Sequence, residues 1–76
     1  MKQQLIRAKE ILEALNINSD KFYVITVYVS QIKFQGRDLD NEDTVEILKK
    51  NGFVPTEDDK YTDYTKEDVE FCITKS

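Results

Sequence analysis

With 76 residues, 15 acidic against 11 basic side chains and a net charge of −4, the chain is expected to form one compact α+β domain over residues 1–76. A domain this short buries roughly 60% of the surface its unfolded chain exposes, which leaves little room for a deep cleft. No residue is histidine, Cys72 is the one cysteine, and no apolar run approaches the ~20 residues of a membrane helix, which excludes histidine-based catalysis, an internal disulfide and a helical membrane span.

From residue 1 to 15, Met1, Leu5, Ala8, Ile11, Leu12 and Leu15 fall within an arc of roughly 120° at about 100° per residue. That spacing predicts an amphipathic helix laid on a core, with Ile6 off the stripe and Asn16 as a left-handed stop. Residues 22–29 are aromatic and β-branched throughout and predict a strand; apolar on both faces, it is expected to be central. Beyond Ser30-Gln31, Ile32 and Phe34 continue one apolar set while Lys33 interrupts the other, so the strand emerges on one face or bends at a bulge before Gly36-Arg37-Asp38 turns the chain.

Asp40 or Asn41 is placed to cap a second helix, with Glu42, Asp43 and Glu46 where a helix N-terminus favours negative charge and Lys49-Lys50 at the opposite end. Asn51-Gly52 closes it. Phe53-Val54 begins a short strand that Pro55 ends or confines to an edge. Residues 61–65 and 69–74 read as a hairpin around Lys66-Glu67-Asp68, with Val69, Phe71 and Ile73 alternating inward and Cys72 facing the other way. The order predicts an α+β two-layer domain, two helices packed on a small, mainly antiparallel sheet of three to four strands.

Motifs that carry chemistry are sparse. Asp38-Leu39-Asp40-Asn41-Glu42-Asp43 begins like a calcium loop, but Asp43 stands where glycine is wanted and Lys49 where a bidentate glutamate is wanted, and helix capping explains the same residues. One cysteine without histidine cannot build a zinc site, and Gly36 and Gly52 fit turns and not a phosphate loop, so neither metal nor cofactor is expected. All acids sit in polar runs, with no buried carboxyl pair in view, and the apolar flanks of Cys72 give no reason for an activated thiol. The chain reads as a non-enzyme. Its single cysteine and its Met1-Lys2-Gln3-Gln4 start, without an apolar leader, read as cytoplasmic.

Charge supplies the one asymmetry. Residues 1–37 hold six bases and three acids, whereas residues 38–70 hold four bases and twelve acids. Tyr61 and Tyr64 stand among acids, so exposed rings there would be rimmed by carboxylates, an arrangement that repels phosphate and suits a basic protein surface. The candidate partner-binding residues are Glu57, Asp58, Asp59, Tyr61, Asp63, Tyr64, Glu67 and Asp68. The expected function is a non-catalytic acidic protein-interaction module. Its most specific form is an inhibitor of the kind carried by phages and mobile elements, competing with nucleic acid for a nucleic-acid-binding protein. The alternative is a structural or assembly protein that forms a homodimer when residues 22–29, or an edge strand, pair with another copy. Direct nucleic-acid binding through Lys2, Arg7, Lys9, Lys21, Lys33 and Arg37 would be weak beside so acidic a second half.

Overall fold

The computed structural model describes residues 2–75, with side chains from Leu5 onward, so Met1 of the predicted helical stripe lies outside the described residues. Helix α1 (Lys2–Leu15) leads through a 3-10 turn at Ser19–Lys21 into strands β1 (Val24–Val27) and β2 (Ile32–Arg37). A second 3-10 turn, Asp38–Asp40, precedes helix α2 (Glu42–Lys50), and strands β3 (Val54–Glu57), β4 (Tyr61–Lys66) and β5 (Val69–Thr74) complete the chain. No helix among the described residues is long and apolar enough to cross a membrane.

The five strands form one sheet in the order β1-β2-β5-β4-β3. Every neighbouring pair is antiparallel except β2 and β5, which run parallel with Phe34 opposite Phe71. The α+β class therefore stands, while the expected sheet of three to four mainly antiparallel strands is corrected to a mixed sheet of five. The reason is chain length between β2 and β5: α2, β3 and β4 supply the long connection that parallel neighbours require.

Residues 22–29 also fall elsewhere than expected. They contribute β1, an edge strand, and β5 takes the centre of the sheet. One apolar face of β1 looks away from the helices, and the other borders a groove lined by α1 with Ile17 and Ser19. Its start is bulged, since Val24 is registered opposite Gln35 and the Tyr23 N–H also reaches the Gln35 carbonyl at 2.9 Å. Two residues thus face one. The extra residue reverses the alternation, so that Phe22 enters the core while both Tyr23 and Val24 stay exposed.

Both helices end by the same device. Asn16 has φ 58°, the Ile17 N–H bonds the Leu12 carbonyl at 2.9 Å and the Asn16 N–H bonds that of Glu13 at 3.1 Å. Gly52, at φ 85°, places the Phe53 N–H on the Leu48 carbonyl at 3.0 Å and its own on that of Lys49 at 3.2 Å. In each case the left-handed residue satisfies orphan carbonyls and folds an apolar follower, Ile17 or Phe53, against the last turn.

One buried cluster unites Ala8 and Leu12 of α1 and Leu48 of α2 with Ile32, Phe34, Val69, Phe71, Ile73 and Tyr64 of the sheet. Phe34 and Phe71 stack at 4.5 Å between ring centres, Phe22 tilts against both, and Phe53 meets the Phe71 ring edge-on at 5.3 Å. Such pairs add roughly 0.5–1.5 kcal/mol each beyond area burial. Leu5, assigned to the buried stripe, is instead 56% exposed, because it lies on the groove between α1 and the edge strand β1 and not over the sheet.

At the other end of β2 the backbone packs tightly. The Asn41 amide is fully buried and donates from Nδ2 to the carbonyls of Lys21 (3.0 Å) and Arg37 (2.8 Å), a pairing that fixes which way the amide points. Asn41 occupies the N-cap position of α2 but makes no side-chain cap bond, because the amide is committed inward. A Cβ on Gly36 would come within 2.6 Å of that amide nitrogen and 2.7 Å of the Lys21 carbonyl, so only glycine fits beneath it.

Candidate functional site

The eight candidate residues do not converge. Glu57 ends β3 and pairs with Lys75 at 3.3 Å. Asp58 and Asp59 form the β3–β4 turn, where the Asp58 N–H bonds the Tyr61 carbonyl at 2.8 Å and the Asp58 carboxylate accepts the Asp59 N–H at 2.6 Å. Tyr61 and Asp63 lie along β4 on the face away from the helices. Tyr64, on the opposite face, is buried, opposite Phe71 in register. Glu67 and Asp68 turn the β4–β5 hairpin at the far end, roughly 17–20 Å away at about 3.3 Å per residue.

Asp68 has a partner inside the chain: its carboxylate takes both terminal nitrogens of Arg7, tying α1 to the hairpin. The hydrogen bond from Arg7 holds the Asp68 carboxyl below its usual range. The charge split behaves the same way elsewhere. Lys21 pairs with Asp43, Lys33 with Glu70 at 3.7 Å and Arg37 with Asp40 at 3.0 Å, so bases of the first half meet acids of the second. Folding thus neutralises much of the asymmetry against itself. It also places Asp40 and Asp43, two oxygens of the calcium-like run, opposite cations of the chain.

What remains together is a corner at the β3–β4 end, with Asp58, Asp59, Tyr61 and Asp63. The negative charges of Asp58 and then Asp63 raise the Tyr61 phenol above its ordinary range. The phenol stays protonated and can donate.

Behind that corner the open face carries a polar cluster that sequence reasoning did not assemble. Ligating atoms of Asp63, Glu70 and Cys72 lie within 4.8 Å of one another, the one such group among the described residues. Lys33 approaches Glu70, and Gln31 donates to it at 2.9 Å. Burial, then the neighbouring Asp63, push the Glu70 carboxyl above its ordinary range. One Asp63 oxygen is enclosed without a donor; a protonated Glu70 supplies one. Burial, with Asp63 again behind it, pushes the Cys72 thiol up to about 11, so it is neither a thiolate nucleophile nor a ready soft-metal ligand at neutral pH. An oxygen-seeking cation would have to displace Lys33 from Glu70.

The antiparallel β4–β5 hairpin sets Asp63 opposite Cys72, with Glu70 two residues along the same face of β5, and the parallel register of β2 on β5 adds Lys33 opposite Glu70. Their shared parity, Lys33 interrupting one apolar set and Cys72 facing away from another, was the available signal. Tyr23 and Tyr28 border the same face, Tyr23 with its hydroxyl 3.2 Å from that of Thr74. Compared with known protein families, curated proteins and solved structures, the chain matches none.

Proposed function

We propose that the chain is a non-catalytic protein-interaction module that receives a basic side chain or short basic segment of a partner protein at the Asp58, Asp59, Tyr61 and Asp63 corner. The observation that carries this reading is the Tyr61 ring on the open face of β4, with Asp63 two residues along the same face and the Asp58 N–H bonded to the Tyr61 carbonyl at 2.8 Å, which gathers acidic side chains and an aromatic ring at one corner. An arginine laid on that ring gains a cation–π contact and a charge-assisted hydrogen bond at once. Lack of histidine and a thiol held protonated favour binding over covalent or acid–base chemistry. The narrower form, an inhibitor competing with nucleic acid for a basic surface in the manner of phage-borne or mobile-element proteins, rests on small size and on the charge difference between the halves.

The test is a titration of the labelled full chain with an arginine-rich decapeptide, followed by amide chemical shifts. Shifts centred on residues 58–63 that vanish at high salt or in Asp58→Lys/Asp59→Lys support the proposal. Shifts elsewhere, or none at millimolar peptide, refute it.

A further inference from the structure

At the opposite edge of the sheet the structure carries a second surface, independent of the acidic corner. Among the described residues, seven of the nine exposed large apolar side chains lie on α1 or between residues 23 and 29, including Leu5, Val24, Ile25, Tyr28 and Val29. The two sheet edges are built differently. β3 reads Val-Pro-Thr-Glu and leads into Asp58-Asp59, so proline and charge guard it against further pairing. β1 reads Val-Ile-Thr-Val, and no residue from 22 to 29 is charged or proline. Of the common guards it has only its short length and the bulge at its start, which stops short of Ile25 to Val27.

Backbone alternation fixes what that edge offers. The Tyr28 N–H bonds the Gln31 carbonyl at 2.7 Å, which makes Tyr28 and Gln31 a hydrogen-bonded pair. Thr26 with Lys33 and Val24 with Gln35 then follow as bonded pairs, and Ile25 and Val27 turn their N–H and C=O groups outward. The bulge at Tyr23 and Val24 and the turn after Tyr28 limit pairing to this short stretch.

We propose that β1 pairs antiparallel with β1 of a second copy of this chain, about a two-fold axis at Thr26. In that register Ile25 and Val27 of each copy exchange hydrogen bonds with Val27 and Ile25 of the other. Val24 falls opposite Tyr28 on the open face, Ile25 opposite Val27 on the helix face, and Thr26 opposite its own equivalent. No charge meets a like charge. The groove beside β1, lined by Leu5, Ala8, Leu12, Ile25 and Val27, has Lys9 and Glu13 on its rim, where they pair with each other at 4.0 Å, so the groove shows no net charge to the equally uncharged, apolar β1 edge of a second copy. A charged foreign strand would find no counter-charge along residues 22–29. The guarded β3 edges close the ten-stranded product and stop it growing into a filament.

The experiment is sedimentation of the full chain from low to high micromolar concentration, with variants at Thr26, whose side chain lies on the open face and leaves the core untouched. The wild type is expected to dimerise. Thr26→Lys and Thr26→Glu, shown folded by circular dichroism, are each expected to raise the dissociation constant at least tenfold by setting like charges opposite one another, and an equimolar mixture of the two to recover the dimer. Thr26→Cys is expected to cross-link under mild oxidation, because non-bonded antiparallel partners sit about 4.5 Å apart at Cα, within disulfide reach. A wild type that stays monomeric across the range, or a dimer indifferent to all three substitutions, overturns the proposal.

Discussion

Thr44 occupies the first turn of α2 with no exposed surface, and its hydroxyl has no hydrogen-bond partner. The side-chain oxygen Oδ1 of Asn41, at the N-cap three residues earlier, is likewise enclosed and unpaired, because the amide nitrogen of Asn41 is drawn to Lys21 and Arg37. An enclosed hydroxyl without a partner costs about 1–3 kcal/mol of desolvation. Replacing it by a methyl removes that cost and buries a further apolar group worth about 0.8 kcal/mol, while threonine and valine have nearly equal helix propensity. Allowing for imperfect fit, Thr44→Val is expected to stabilise the fold by about 1–2 kcal/mol, or about 5–10 °C in Tm for a chain of this size. Urea denaturation followed at 222 nm, with an unchanged m-value, measures it. Thr44→Ser keeps the hydroxyl and loses the methyl, so it is expected to lose about 1 kcal/mol. If Thr44→Val is no more stable than the wild type, the orphan hydroxyl is not a cost and the reasoning fails.

Three other outcomes are expected. Because burial and Asp63 raise the folded-state value of Glu70, the folded chain holds that proton more tightly than the unfolded one. Its contribution to stability is therefore greatest below the ordinary glutamate range and declines as pH rises through the raised value; Glu70→Gln should flatten this decline in urea melts taken from pH 4 to 8, and parallel profiles would contradict it. Glu67 turns the β4–β5 hairpin at φ 56°, so Glu67→Asn is expected to gain about 0.5–1 kcal/mol in thermal denaturation. Cys72 is buried, with its thiol pushed up to about 11, so iodoacetamide at pH 8 should modify native protein far more slowly than protein in urea, and equal rates would place the thiol at the surface.

Local signals were legible in the sequence and long-range ones were not. Asn16 and Gly52 announced the helix ends because a left-handed stop is encoded by one residue and its apolar follower. Alternation of Val69, Phe71 and Ile73 placed the last strand's inner face correctly, and Cys72 on the outer one. The same logic misplaced residues 22–29, since two apolar faces mark a central strand only when something covers both. Phe22 entered the core through a bulge that no periodicity reveals. Nothing in the spacing could have paired residues 32–37 with 69–74 in parallel, and that register alone brings Lys33 to Glu70. The candidate site suffered most from this. Acids adjacent in the chain were separated by the strands between them, and Arg7, far away in sequence, claimed Asp68.

The position of β5 has a consequence for synthesis. The strand at the middle of the sheet is the last of the described elements to be translated, and its Phe71 touches the rings of Phe22, Phe34 and Phe53. Until the ribosome has released the chain past Thr74, β2 lacks its parallel neighbour and β4 its antiparallel one. The nascent polypeptide can form the β1–β2 hairpin and two helices but cannot close its core. During that interval Ile32 and Phe34 lack the Val69 and Phe71 neighbours that cover them in the finished sheet, and apolar surface left open in this way beside an unpaired edge favours misassembly.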